Sequence, residues 1–464
     1  MKNNIKYSST RGKSVELLFK DVIFEGLAPD GGLYVPEIWP KLEKKTLSRF
    51  SGMSYQQIAF EVISPYIDSS LSDDDLKNII DKAYSSFDHP EITPLNKIND
   101  NKYLLELFHG PTYAFKDVAM QFISQLMGFY LKQEDRSLNI LGATSGDTGA
   151  AAIESFKNIK SVKIFILHPY NKISEVQRKF MTTIKSDNVF NIAVKGSFDD
   201  CQNIIKQIFS DQSYKKNNNL TAINSINWAR IMCQIVYYFY TISRLKTAGK
   251  RVLFSVPTGN FGDILAGYIA FKMGLDIDML NIATNENDIL TRTLTSGEHE
   301  LRKVKETTSP SIDIQISSNF ERLLFDISKD TEYVNKLMSE LKKTGTYTLS
   351  NDIIDQIKNH FCSYSVSEDE VNRTISEIYE NHNIILDPHT AVGFASASKC
   401  PENYDLSITL STAHPAKFKD TVEKLISNDS FVTEKVKKLM QSDEQMIILE
   451  NNATVVQDFI SNNM

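Results

Sequence analysis

The stretch LNILGATSGDTGAAA, residues 138–152, decides the fold class. Its first half, LNILGA, is a short run dominated by branched apolar residues and reads as a β-strand; the small residues from Gly142 to Ala152 then carry the chain into a helix. A strand that runs through a small-residue turn into a helix is the opening of a βα unit. YLLELF, VKIFIL, VFNIAV, RVLFSV and MLNIAT are further strand candidates, with helix-period segments between most of them. The pattern is that of an α/β protein built on parallel sheet.

Two helices are legible in detail. Ser197 is an N-cap for FDDCQNIIKQIFSD, with acidic residues in the first turn and Ile204, Ile205 and Ile208 on one face. NWARIMCQIVYYFYTISRLK is apolar over so much of its surface that it reads as a buried helix. Residues 1–95 differ, with a Pro- and Gly-rich region, EGLAPDGGLYVPEIWP, followed by mixed helical sequence. They form an expected N-terminal helical unit, followed by α/β domains at 96–230 and 231–464. The segment from about 300 to 380 is charged and helical, and the polar stretch after 425 reads as an exposed helix pair.

A chain of 464 residues with 41% hydrophobic content can bury a large core. Its net charge of −7, with Lys and Arg scattered, gives no basic footprint for nucleic acid, so any anionic ligand must be bound locally. Cys201, Cys233, Cys362 and Cys400 form no C-x-x-C pair, which points away from a zinc ribbon or a disulfide framework and toward a reducing compartment. The N-terminus has no apolar signal core, and no run reaches the roughly 18 apolar residues of a membrane span. A cytoplasmic protein is the expectation.

Three loops place small or amide residues where a strand gives way to a helix, the position at which α/β proteins collect ligands. Gly142–Ala152 is one; it is not a P-loop, since no Gly-Lys-Ser/Thr follows. VPTGNFGDILAG, residues 256–267, offers a main-chain anion cradle at Gly259 and Gly262, although a lone Gly-x-x-Gly also suits an ordinary turn. NSINWARI, residues 224–231, brings amide, hydroxyl and guanidinium groups to a helix start; alone, Asn224 and Ser225 read equally as a cap, and Arg230 as an ion-pair residue.

Lys116 lies in LFHGPTYAFKDV, just after a Gly-Pro turn and at the start of an apolar helical run. A helix N-terminus is an unfavourable place for a cation. A neutral amine or an imine suits it better, and apolar neighbours lower a lysine pKa. With a phosphate cradle elsewhere in the chain, an aldehyde that carries a phosphate meets both conditions, as pyridoxal phosphate does.

HGPTYAFKD, GATSGDTGAA, NSINWARI, PTGNFGD and STAHPAKF occur in the order seen in threonine synthases, and the similarity runs from YSSTRG and GLAPDGGLYVPE through SPSIDIQISSNFERL and DPHTAVG to about residue 425. The chain resembles the longer bacterial and fungal branch of that family. The resemblance implies a tryptophan-synthase-like fold, two open twisted sheets flanked by helices, with pyridoxal 5'-phosphate held between two α/β domains. It implies that Lys116 forms a Schiff base with the cofactor, that Gly259, Asn260, Phe261, Gly262 and Asp263 surround its phosphate, and that Thr412 faces its ring nitrogen. It places Thr144, Ser145, Gly146, Asp147 and Thr148 near the substrate carboxylate, and Asn224, Ser225 and Arg230 at the substrate phosphate. The implied substrate is O-phospho-L-homoserine, converted with water to L-threonine and phosphate by a monomer or homodimer. Related enzymes of the wider group often have Asn where this chain has Asp147, and an ionised carboxylate would repel a phenolate-like cofactor oxygen. Asp147 therefore either points elsewhere or shares a proton.

Overall fold

In the computed structural model, which describes residues 4–12, 16–401 and 403–464, the chain forms two principal sheets. The smaller has five parallel strands in the order Ile447–Glu450, Val189–Lys195, Val162–Pro169, Leu138–Ala143, Leu220–Ala222. The larger has six, in the order Phe361–Ser365, Met279–Thr284, Val252–Pro257, Leu406–Ser411, Lys102–Glu106, Leu95–Lys97; all are parallel except the last, which is antiparallel to its neighbour. Helices cover the sheets, so the inner strands are apolar on both faces: Val252–Pro257 is buried at every position, as is Val162–Pro169 except at Lys163. All six strand candidates become strands, with shifts of one or two residues at some ends.

The helix Phe198–Ser210 starts as its sequence dictates. The Ser197 hydroxyl accepts from the Asp200 N–H at 3.1 Å, and the Asp200 carboxylate accepts from the Ser197 N–H at 2.7 Å. Cys201, Ile204 and Ile208 are buried, while Ile205 is only partly so. The helix Trp228–Arg244 is buried from Trp228 through Thr241. The N-terminal unit packs on it: Tyr7, Trp39 and Tyr66 surround Trp228 with ring centres 5.6–6.0 Å away, and Tyr55 lies 5.3 Å from Tyr240. Each such aromatic pair contributes about 0.5–1.5 kcal/mol beyond its area.

Two expectations change. The stretch after 425 is not an exposed helix pair, because between the helices Glu434–Gln441 and Ala453–Ser461 the strand Ile447–Glu450 pairs in parallel with Val189–Lys195. Val456 and Ile460 bury themselves beside Ile204 and Ile208. Nor do boundaries at 96–230 and 231–464 follow sheet membership, since Lys102–Glu106 belongs to the larger sheet and Ile447–Glu450 to the smaller. The chain passes between the sheets three times. Among the described residues no helix is long and apolar enough to cross a membrane.

Candidate active site

The carboxyl ends of the strands Lys102–Glu106, Leu138–Ala143, Val252–Pro257 and Leu406–Ser411 lead into loops that meet at one cleft of about 680 Å³. Lys116, Asp147, Thr148, Ser225, Arg230, Gly259, Asn260, Phe261, Gly262, Asp263 and Thr412 all line it. Thr144, Ser145, Gly146 and Asn224 are not among its lining residues.

Lys116 is the first residue of the helix Lys116–Gln133, and the turn before it is fixed by the residue after it. The Asp117 carboxylate accepts from the Thr112 N–H at 2.7 Å and from its hydroxyl at 2.8 Å. Gly110 is needed for this turn, because a Cβ there would stand 2.4 Å from the Asp117 Cβ. The Phe115 N–H donates to the Thr412 carbonyl at 2.9 Å, which stitches the lysine turn to the end of the central strand. The Lys116 Nζ lies 4.7 Å from the Phe115 ring centre and 3.5 Å from Asp147 Oδ2. Burial lowers the Lys116 pKa; Asp147 opposes that shift, while Lys417 and Arg230 reinforce it.

Asp147 is the hub of the site. One oxygen takes Lys417 at 2.6 Å and the Gln177 amide at 3.0 Å; the other takes the Ser311 hydroxyl at 3.1 Å and faces Lys116. Burial alone would raise its pKa, but Lys417 and then Lys116 hold it well below the usual carboxylate range. An ionised carboxylate held by Lys417 and facing Lys116 speaks against a shared proton, and Asp147 lines the cleft. Thr144 shapes its loop, since the hydroxyl accepts from the N–H groups of Gly146 and Gly149 at 3.0 and 2.9 Å. Ser145 is exposed.

The loop Gly259–Asp263 presents a row of backbone donors, a geometry that suits an anion. Phe261 is in the left-handed region at φ +61°, a conformation that costs about 1–3 kcal/mol outside glycine and is held by its surroundings. The backbone N–H groups of Gly259 through Asp263 have no acceptor among the described residues, and they stand at the start of the helix Gly262–Lys272. A Cβ at Gly259 would meet the Ser311 carbonyl at 2.8 Å. The Asp263 side chain turns away from this row to accept from the Tyr237 and Tyr238 hydroxyls. Burial pushes its carboxyl up to about 7.

Arg230 lies one turn before Gln234 on the helix Trp228–Arg244, and both line the cleft. The Arg230 side chain is buried, its Nε and Nη1 have no partner among the described residues, and burial pulls its pKa down to about 10. The ion-pair reading fails for want of an acid. Asn227 caps this helix, accepting from the Ala229 N–H at 3.0 Å, while the Asn224 side chain accepts from the Ile226 N–H within its own loop at 3.2 Å. Asn224 and Ser225 are therefore not the cap. The cleft residues and partners of Asp147 that sequence reasoning passed over are Lys417, Ser311, His389, Gln177 and Gln234. The first three lie inside quoted motifs, STAHPAKF, SPSIDIQISSNFERL and DPHTAVG, and Gln234 follows from the i, i+4 face of Arg230.

This cleft fits pyridoxal phosphate. It offers a buried amine with a lowered pKa, a row of unpaired N–H groups at a helix start for one phosphate, and a hydroxyl, Thr412, at the end of the central strand. An unpartnered buried guanidinium remains for a second anion.

The fold and cleft define a pyridoxal-phosphate-dependent enzyme, and a family model described as "Pyridoxal-phosphate dependent enzyme" matches residues 87–409. Models described as "Threonine synthase N terminus" and "Threonine synthase, C-terminal" match residues 6–84 and 390–460. Among curated relatives, threonine synthases of Pseudomonas aeruginosa and Saccharomyces cerevisiae are each 44% identical, the first over 98% of both chains and the second over 96% of this chain and 95% of its own. The crystal structure of PLP-bound threonine synthase from Brucella melitensis superposes with a TM-score of 0.96 at 43% identity over 99% of both chains. That of the yeast enzyme gives 0.94 at 42% identity, again over 99% of each. The chain belongs to the threonine synthase family, and its cofactor is pyridoxal 5'-phosphate.

Lys417 supports a prediction about stability. Lys417→Met leaves Asp147 buried with Lys116, at 3.5 Å, as its one cationic partner among the described residues, and breaking a buried pair from one side costs about 3–5 kcal/mol. The depressed pKa of Asp147 contributes stability above pH 4, lost as the pH falls, so the deficit of the variant is expected to be largest at pH 7 and to shrink below pH 4. Urea unfolding of both proteins at several pH values measures it; a deficit independent of pH would contradict the pairing.

Proposed function

We propose that this chain converts O-phospho-L-homoserine and water into L-threonine and inorganic phosphate. The observation that carries the reading is that two separate sets of donors unpaired among the described residues, the N–H row of Gly259–Asp263 and the guanidinium of Arg230, line one cleft with the buried amine of Lys116. A reaction in which cofactor and substrate each bring a phosphate accounts for both. A dehydratase acting on serine or threonine leaves Arg230 without a ligand.

When bound, pyridoxal phosphate supplies an electron sink for the charge left at the substrate α carbon. The chain's own residues do the rest. The loop Gly259–Asp263 would hold the cofactor phosphate, the Thr412 hydroxyl would serve as a neutral partner for the ring nitrogen, and Lys116 would anchor the cofactor. Lys116 then takes the Cα proton at Nζ; its burial favours the neutral amine beforehand, and Asp147 at 3.5 Å stabilises the ammonium afterwards. Arg230 offsets the charge on phosphate as it departs from Cγ. Thr148, at the start of the helix Asp147–Phe156, faces the substrate carboxylate. A second proton leaves Cβ as the phosphate departs from Cγ, Cγ is protonated to a methyl group, and water then adds its hydroxyl at Cβ while a proton returns to the α carbon.

Incubation of the purified protein with O-phosphohomoserine tests the reading. Threonine and phosphate are expected in equal amounts. Release of 2-oxobutyrate in place of threonine would make the chain a lyase, and no turnover by cofactor-loaded protein would make it a binding protein.

A further inference from the structure

His389 lies in the cleft wall, and the mechanism above gives it no task. It is buried on the helix Pro388–Ala397, and its two ring nitrogens have different partners. Nδ1 is 2.8 Å from Asp387 Oδ2, and Nε2 accepts the backbone N–H of Ser311 at 3.1 Å. A backbone N–H can only donate, so Nε2 is unprotonated and the ring proton sits on Nδ1, facing the carboxylate. Asp387 is fully buried and satisfied, since it also accepts from the backbone N–H groups of His389 and Thr390 and from the Thr390 hydroxyl.

Ser311 links this pair to the chemistry. Its hydroxyl donates to Asp147 Oδ2 at 3.1 Å, the same oxygen that faces Lys116 Nζ at 3.5 Å. Its carbonyl is packed so closely over Gly259 that no Cβ fits there. The Ser311 loop belongs to the half of the molecule built on the larger sheet, and Asp147 starts a helix on the smaller. One backbone hydrogen bond to His389 thus sets how the two halves present Asp147 to the lysine.

We propose that His389 is a positioning residue: as its neutral Nδ1–H tautomer, fixed by Asp387, it holds Ser311 so that the Ser311 hydroxyl orients Asp147 against Lys116. The effect falls on the proton-transfer geometry of Lys116 rather than on substrate binding. This rests on the proposed reaction only for the substrate used to read turnover. Asp387 itself is a poor probe, because through Thr390 it also holds Ser411, the neighbour of Thr412.

The test combines variants with a direct view of the ring. His389→Leu removes the acceptor for the Ser311 N–H, while His389→Gln can offer a side-chain oxygen in its place. In cofactor-loaded protein with O-phosphohomoserine, His389→Leu is expected to lower kcat about 10- to 100-fold with KM changed less than about threefold, since positioning a base contributes on this scale. His389→Gln is expected to recover most of kcat. Because the route runs through Ser311, adding Ser311→Ala to His389→Leu is expected to cost little more than His389→Leu alone. Equal losses in the Leu and Gln variants, or multiplicative losses in the double variant, would overturn the proposal. Nitrogen NMR of histidine-labelled wild-type protein needs neither folding of a variant nor the right substrate. It is expected to show His389 protonated at Nδ1 alone, and a proton on Nε2 would overturn the proposal. Failure of wild-type protein to turn over O-phosphohomoserine would instead count against the substrate and leave the tautomer result standing.

Discussion

Lys116→Ala is expected to lower the turnover of O-phosphohomoserine by at least about 10³-fold while leaving the protein as stable as before, or more so. The two effects have one cause. A positioned base contributes about 10²–10⁴-fold, and in the proposed reaction the same nitrogen also anchors the cofactor. The ammonium form of Lys116 is disfavoured by burial first and by Lys417 and Arg230 next, so its removal relieves a cost that the fold carries for the reaction. Asp147 keeps Lys417, Gln177 and Ser311, and no buried carboxylate is stranded. Turnover and thermal melting are read together. Borohydride reduction adds a second readout, since it is expected to fix cofactor onto the peptide carrying Lys116 in wild type only. A folded variant that retains turnover, or wild-type cofactor fixed at another lysine, would remove Lys116 from its assigned role.

Arg230→Leu is expected to have the second largest effect, and again to separate function from stability. Loss of one partner of a desolvated, charge-assisted phosphate contact costs about 2–5 kcal/mol, or roughly 30- to 5,000-fold in kcat/KM. Cofactor binding is expected to survive, because the N–H row of Gly259–Asp263 is a different part of the cleft wall. The variant is also expected to melt no lower than wild type, since leucine replaces a buried guanidinium whose Nε and Nη1 are unpartnered. The paired measurement compares O-phosphohomoserine turnover with Cα deuterium exchange on a phosphate-free amino acid such as 2-aminobutyrate. Turnover should fall and exchange change little; equal losses in both would show that Arg230 serves the fold or the cofactor.

What the sequence disclosed follows from how local each signal was. Lys116 with its turn, and the loop Gly259–Asp263 with its helix, are consecutive residues whose chemistry is contained in a dozen positions. The capping box at Ser197 and the apolar strands are of the same kind. Asp147 stayed ambiguous because its meaning depends on Lys417 and Ser311, which reach it from distant parts of the chain. Taken alone Arg230 reads as an ion-pair residue, and only the resemblance sets it at a phosphate; that its side chain is buried with no acid partner among the described residues is a property of the fold. His389 gave no signal of its own, since a histidine beside an aspartate in DPHTAVG acquires a role only through the loop folded onto it. The strand Ile447–Glu450 escaped notice because it is four residues long and half-exposed, and its partner strand precedes it by most of the chain.

The crossing of the chain between its two sheets has a consequence for how the molecule is made. On the ribosome, Lys102–Glu106 and Leu95–Lys97 emerge early but must wait for Leu406–Ser411, which sits between Lys102–Glu106 and Val252–Pro257. The smaller sheet likewise waits for Ile447–Glu450 to cover the edge of Val189–Lys195. For most of synthesis the nascent chain therefore carries open strand edges, the feature that invites mispairing and engages chaperones. Thr412 and Lys417 arrive with the strand that closes the larger sheet, so a ribosome-bound fragment ending before them holds Lys116 without the groups that complete its surroundings.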